Sequence, residues 1–286
     1  MNRFDELIEQ ALDIHPHDGR GAALLLREAA AERADATTEQ LEGWLRAAEH
    51  VLLGHLDDAA GLEALLNDVE PALAGRAQAA IALARGQAAE LGALESADRV
   101  RAHYNAALAL SRRRDFAGMR QLMSAARGQV LPDDAGSARA WAAVANNIAA
   151  DLRFYHQRGD APHAALMIEA ARLACQAWAA AGGWLEQERA DWQLAMCAAA
   201  AGEGVLALEA ARSGLAACER HGADDYEFCF AQQALAQAAL AADDLPLAQQ
   251  ARAAMAQRLA AVPEANRSYA QRCLEEIDAA LQQRRA

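Results

Sequence analysis

Apolar residues recur at i, i+3, i+4 and i+7 along nearly the whole chain, and a short Gly, Asp or Pro signal interrupts them every 15 to 22 residues. No segment alternates apolar and polar positions as a half-buried strand would. The pattern predicts helices over 2–14, 19–34, 38–54, 57–69, 74–91, 95–113, 115–129, 136–157, 161–181, 184–201, 203–221, 224–241, 244–261 and 264–284. The expected fold class is all-α.

The interruptions themselves recur. Asp115 follows Arg114, Asp160 follows Gly159, Glu203 follows Gly202 and Asp244 follows Asp243, at spacings of 45, 43 and 41 residues. A near-constant period holding two helices is the mark of a helical solenoid, because one hairpin cannot bury its apolar face alone and must stack on its neighbours. In the first third, Gly54 and Ala59 suggest pairing 38–54 with 57–69, whereas regular alternation pairs 57–69 with 74–91. The second register is the one expected.

Around Gly159-Asp160 the sequence resembles the tetratricopeptide repeat family. In that family a glycine at the hairpin turn is preceded four residues earlier by an aromatic and followed at five and twelve residues by small side chains. Tyr155, Gly159, Asp160, Ala164 and Ala171 match these positions; Gly202, Ala207 and Gly214 match in the next unit, with Leu194 upstream, and Ala248 and Leu235 in the third. Small residues are needed there because the two helices of a hairpin cross closely. The resemblance covers 96–284. It departs from the family in a period of 41 to 45 rather than 34, in the position of Asn146-Asn147, and in residues 1–95, which fit by architecture only. It implies a right-handed superhelical solenoid of antiparallel hairpins. The expected organisation is irregular helical repeats over 1–95, repeat-like hairpins over 96–262 and a capping helix over 263–286, in which Glu275, Glu276, Gln282, Gln283, Arg284 and Arg285 supply the polar face a solenoid end requires.

Composition narrows the chemistry. Of 286 residues, 80 are alanine and none is lysine, so all 27 basic side chains are arginine. Without lysine there is no Walker A phosphate loop, no Schiff-base residue and no lysine general base. Alanine and arginine in excess also point to a GC-rich bacterial genome. A net charge of −13 argues against nucleic acid or an anionic membrane as partner. The basic run Arg112-Arg113-Arg114 precedes Asp115 and reads as a solvated helix end. Five cysteines without CxxC spacing read as reduced, buried thiols, and no signal-peptide or 18-residue apolar pattern is found, so a cytoplasmic location is expected.

Catalytic and metal motifs are scarce. None of the six serines lies in GxSxG, and the eight histidines form neither HExxH nor ExxH. His15, His17 and Asp18 flank Pro16 and read as turn and cap rather than metal site. His50 and His55, five apart, fall on different faces of an α-helix and so are not expected to chelate together. Gly202-Glu203-Gly204 follows no strand and reads as a repeat turn, not a dinucleotide loop. The Asp pairs 57–58, 133–134, 224–225 and 243–244 sit at helix starts and read as N-caps. Trp44 and Trp141 are assigned to packing, and Trp178 and Trp184 to a junction between hairpins.

What remains is a surface. The family resemblance implies that the first helix of each hairpin lines a concave groove, with ligand-facing positions at Arg101, Tyr104, Asn105, Asn146, Asn147, Arg153, Arg189, Trp192, Gln193, Met196, Phe230, Gln233 and Gln237. There arginines would hold carboxylates, amides would pair with a peptide backbone, and Tyr104, Trp192 and Phe230 would anchor the partner or, alternatively, pack between layers. The leading expectation is a non-catalytic, cofactor-free module that binds a protein or peptide as adaptor, chaperone or regulatory sensor. The alternatives are a small-molecule sensor or enzyme with a pocket inside the superhelix, and a homo-oligomer joined through its terminal helices.

Overall fold

The computed structural model describes residues 2–284, so Arg285 of the expected polar cap lies outside the described residues. Among these the chain is all-helical, with no strand. The helices are α1 (Arg3–Ile14), α2 (Gly19–Ala31), α3 (Thr38–Ala48), α4 (Ala59–Leu66), α5 (Pro71–Ala84), α6 (Ser96–Arg112), α7 (Phe116–Gly128), α8 (Ala135–Phe154), α9 (Ala161–Ala181), α10 (Trp184–Ala201), α11 (Gly204–His221), α12 (Asp225–Ala241), α13 (Leu245–Arg258) and α14 (Glu264–Gln283). Helices adjacent in sequence pack together in pairs. The largest shift from the predicted bounds is at α5, expected over 74–91. It begins at Pro71, whose missing N–H costs nothing in the first turn, and stops at Ala84 because Gly86 turns left-handed at φ +68°.

α3 continues into a π-helical segment, Glu49–His55, and two short 3₁₀ turns cover Arg33–Asp35 and Leu259–Ala261. The chain divides into two compact units, one ending at Val144 and the other starting at Ala145, so the division falls inside α8. α5 and α6, on either side of the expected 95/96 boundary within the solenoid, pack extensively on each other.

In both units one backbone turn repeats. A left-handed residue is followed by a capping residue at Asp57-Asp58, Arg114-Asp115, Gly159-Asp160, Gly202-Glu203 and Asp243-Asp244, and the five capping residues share φ between −96° and −81° and ψ between 64° and 80°. Asp115, Glu203 and Asp244 donate their N–H to the carbonyl five residues back, closing the preceding helix in a Schellman-type turn. The four aspartates also accept an amide hydrogen two or three residues into the next helix, as the capping reading requires. Asp134 and Asp224 cap in the same way. The non-capping members Asp57, Asp225 and Asp243 instead pair with Arg113, Arg258 and Arg284.

The same turn occurs in the first third, between α3 and α4. Asp57-Asp58 carries the same geometry as the later hairpin turns, so the hairpin there is α3 with α4. α5, expected as the partner of α4, is an additional helix between hairpins and packs chiefly on α6. At Gly159-Asp160, α8 has already ended at Phe154 and the turn is longer; Ala164 is only half-buried there, while Ala171, Ala207 and Ala248 are fully buried.

The core of the first unit centres on Leu7, Leu26, Trp44, Leu52, Leu53 and Leu62, and Trp44 donates its Nε1–H to the Leu26 carbonyl at 2.9 Å. That of the second is built mostly from alanines of α10 to α13, with Phe230, Leu235, Met255 and Ile277. Trp141 is buried as expected, whereas Trp184 is exposed and stacks on His221. The backbone of α11 comes very close to that of the α12–α13 turn at Gly204, where a Cβ would lie 2.6 Å from Ala242 Cα. Gly204→Ala should therefore lower stability by about 1–3 kcal/mol through overpacking; an unchanged urea midpoint would mean that the α12–α13 turn yields freely.

Candidate functional site

In the second unit α10 packs on both α11 and α12, and α12 on both α13 and α14. The first helices of successive hairpins therefore stand side by side. They line an open cavity of about 380 Å³ to which α8 contributes Asn146, α10 contributes Glu188, Arg189, Trp192 and Gln193, α12 contributes Tyr226, Glu227 and Phe230, and α14 contributes Tyr269.

One wall is aromatic. Phe230 stacks on Tyr269 with ring centres 5.5 Å apart, touches Tyr226 at 4.8 Å and meets Trp192 edge-on at 6.3 Å. Trp192 is fixed from two sides: its Nε1–H donates to Gln233 Oε1 at 3.3 Å, and the Arg153 guanidinium lies over its ring at 5.2 Å.

The other wall is polar and rich in acceptors. Arg189 forms an ion pair with Glu227. Asn146 Oδ1 and Glu188 Oε1 are buried and accept no hydrogen bond. Burial, and next the neighbouring Glu227 carboxylate, push the Glu188 carboxyl up to about 8, so it is protonated at neutral pH. Asp191, one turn on, accepts from Gln187 at 3.1 Å and from Ser213 at 2.7 Å.

Of the thirteen groove positions named from the sequence, Asn146, Arg189, Trp192, Gln193 and Phe230 line this cavity. Gln193 is largely buried behind it and donates to Cys197 Sγ at 3.3 Å; Gln233 is buried beneath Trp192. Asn147 is exposed, Gln237 is half-buried, and Met196 packs against the core. Arg101, Tyr104 and Asn105 belong to the first unit. Arg101 pairs with Asp98 at 3.2 Å beside a cavity of about 490 Å³ whose Arg46, Arg76, Glu42 and Asp98 carry mixed charge. Tyr104 stacks on His50, and Asn105 is buried between His50 and Glu49.

Four cavity residues were not named from the sequence. Tyr226 stands one turn before Phe230, and that i, i+4 spacing could have found it. Tyr269 lay in the helix assigned to capping. Glu188 and Glu227 carried no signal, since a carboxylate on a helix reads as solvated until the fold buries it.

The first unit overturns the reading of His50 and His55. In the π-helical segment the bonds run from residue i to i−5, as from Leu56 N–H to the Val51 carbonyl, so residues five apart return to one face. Their Nε2 atoms lie 3.0 Å apart. His15, read with His17 and Asp18 as turn and cap, packs its ring edge against both, while Asp18 does cap α2. Burial above all, then the neighbouring histidines and the charge of Arg112, hold His50 at about 4 and His55 at about 3, so both imidazoles are neutral at neutral pH.

No protein-family model matches the sequence, and no curated protein shows significant similarity to it. No helix among the described residues is long and apolar enough to cross a membrane.

The Glu188 proton sets a pH dependence. Its folded value of about 8 lies above the ordinary 4.5, so the stability tied to that proton is complete below about pH 4.5 and lost as pH rises through about 8. Glu188→Gln keeps the neutral form throughout. Urea midpoints measured from pH 5 to pH 8 should therefore fall less in the variant than in the parent, and parallel curves would refute a buried neutral Glu188.

Proposed function

We propose that the protein is a non-catalytic peptide- or protein-binding module built on tetratricopeptide-like hairpins wound as a right-handed superhelix. The observation that carries this reading is the convergence of the first helices of successive hairpins, α8, α10, α12 and α14, on one aromatic-walled cavity. The repeated left-handed turn with its capping residue supports the family likeness.

The lining of the cavity supports one class of ligand. Arg189 is already paired with Glu227, which supports a ligand that needs no carboxylate at that position. Trp192, Tyr226, Phe230 and Tyr269 instead offer faces for a large apolar or aromatic side chain of an extended peptide, and buried aromatic anchors dominate interface energies. Asn146 Oδ1, still without a donor, would accept a backbone N–H of the same peptide.

Peptides selected against the protein from a random-sequence display library should carry an aromatic or large apolar anchor. Trp192→Ala and Phe230→Ala should each weaken such a peptide by about 30-fold in fluorescence anisotropy, with helicity retained. Undiminished affinity in both variants would reject the groove as the binding site. The cavity volume favours a second reading, a small-molecule sensor, because about 380 Å³ falls within the range of ordinary ligand pockets. That reading requires a small amide or aromatic compound to raise the melting temperature when no peptide is present.

A further inference from the structure

We propose that His15, His50 and His55 form a three-histidine site for a divalent late first-row transition metal ion, zinc being the prototype, with the fourth coordination position left to water or an external ligand.

The three side chains come from two places in the first unit: His15 from the turn after α1, and His50 and His55 from the π-helical segment. One nitrogen from each lies within 4.8 Å of the other two. Zinc–nitrogen bonds of about 2.0–2.1 Å place tetrahedral ligands about 3.3 Å apart. The His50–His55 separation of 3.0 Å is already close to that edge. His15, half-buried at a turn, needs to move in by no more than about 1.5 Å.

The hydrogen bonds behind the rings present the required lone pairs. Asn105 Nδ2 donates to Glu49 Oε1 at 2.8 Å, which orients the amide so that Asn105 Oδ1 can only accept. It accepts from His50 Nδ1–H at 3.0 Å, and this leaves His50 Nε2 unprotonated and aimed at His55. His15 Nδ1–H donates to the Leu12 carbonyl at 2.5 Å, so its Nε2 is likewise a lone-pair donor. Without metal, His55 Nε2–H fills the gap to His50 Nε2. A metal ion takes the place of that proton, which passes to His55 Nδ1, and no net charge is lost from the ligands. A metal-binding histidine commonly has its second nitrogen held by an oxygen acceptor, and His50 meets this condition through Asn105 and the buried Glu49.

The backbone is shaped for this contact. A Cβ on Gly54 would stand 2.9 Å from Asn105 Oδ1 and 3.5 Å from His50 Nδ1, so only glycine lets α6 bring Asn105 to the ring. π-Helical segments are uncommon and are often found at functional sites. Arg112 opposes added positive charge here, so the site favours ions that bond strongly to neutral imidazole over those held by charge.

The test is calorimetric titration of the chelator-treated full chain with zinc chloride or cobalt(II) chloride. One equivalent should bind, cobalt should develop the intense visible absorption of a four-coordinate complex, and magnesium and calcium chlorides should give no heat of binding. His15→Ala, placed at a surface turn where folding is least at risk, and His50→Gln should each weaken zinc at least 10-fold, Asn105→Ala should do so 10- to 100-fold, and His17→Ala should change nothing. Absence of one-to-one zinc binding by the parent chain would overturn the proposal. So would affinity unchanged in His15→Ala and His50→Gln variants of normal circular dichroism. If His50→Gln does not fold, His15→Ala decides the matter.

Discussion

Helices faced with alanine bury apolar surface only by approaching closely, and this steric constraint runs through both units. In the second unit Ala195, Ala198, Ala207, Ala211, Ala236, Ala239 and Ala248 are almost completely buried, and α11 starts so near the α12–α13 turn that only glycine fits at position 204. A core with such short side chains cannot absorb a misplaced helix, because no flexible chain is available to fill the gap. The hairpin turns must therefore be exact in direction. A left-handed residue followed by a capping residue provides that direction five times, at Asp57, Arg114 and Asp243 even with a side chain in the strained region.

Where the spacing is small and regular, any larger group stands out. The aromatic rings of Trp192, Tyr226, Phe230 and Tyr269 collect on the side formed by the first helices, where Phe230, Trp192 and Tyr226 border the alanine core and, with Tyr269, wall a cavity. The same close packing removes water from Glu188, which keeps its proton as a result. Arg189 remains charged and takes Glu227 as its partner, so the polar wall is internally compensated on one side and short of donors on the other.

The first unit meets the constraint differently. Glu49 is buried against Arg76 and Asn105, and with this carboxylate the helix passes into a π-helical segment. That change alters which side chains share a face. It carries His55 back over His50, displaces the Asp58 N–H so that it bonds the Leu52 carbonyl six residues back, and still delivers the standard turn at Asp57. A buried ion pair is a weak source of stability. Its clearer consequence here is to fix Asn105, and through it the orientation of the His50 ring.

The sequence by itself determined the helices, because helix formation is local: apolar spacing, capping aspartates and the glycines at 159, 182, 183 and 202 placed α9 and α10 to the residue. The family resemblance also named Trp192, Phe230 and Arg189 for one groove, and the three line the same cavity. The sequence did not disclose the histidine cluster, because the reading assumed i→i−4 bonding, and the choice of i→i−5 between Val51 and Leu56 accompanies burial of Glu49 beside Asn105, 56 positions along the chain. Nor did it disclose that Glu188 is neutral or that Tyr269 meets Phe230. Hydration and long-range contact are properties of the packed chain, and only the tertiary structure decides which carboxylate loses its water and which ring gains a neighbour.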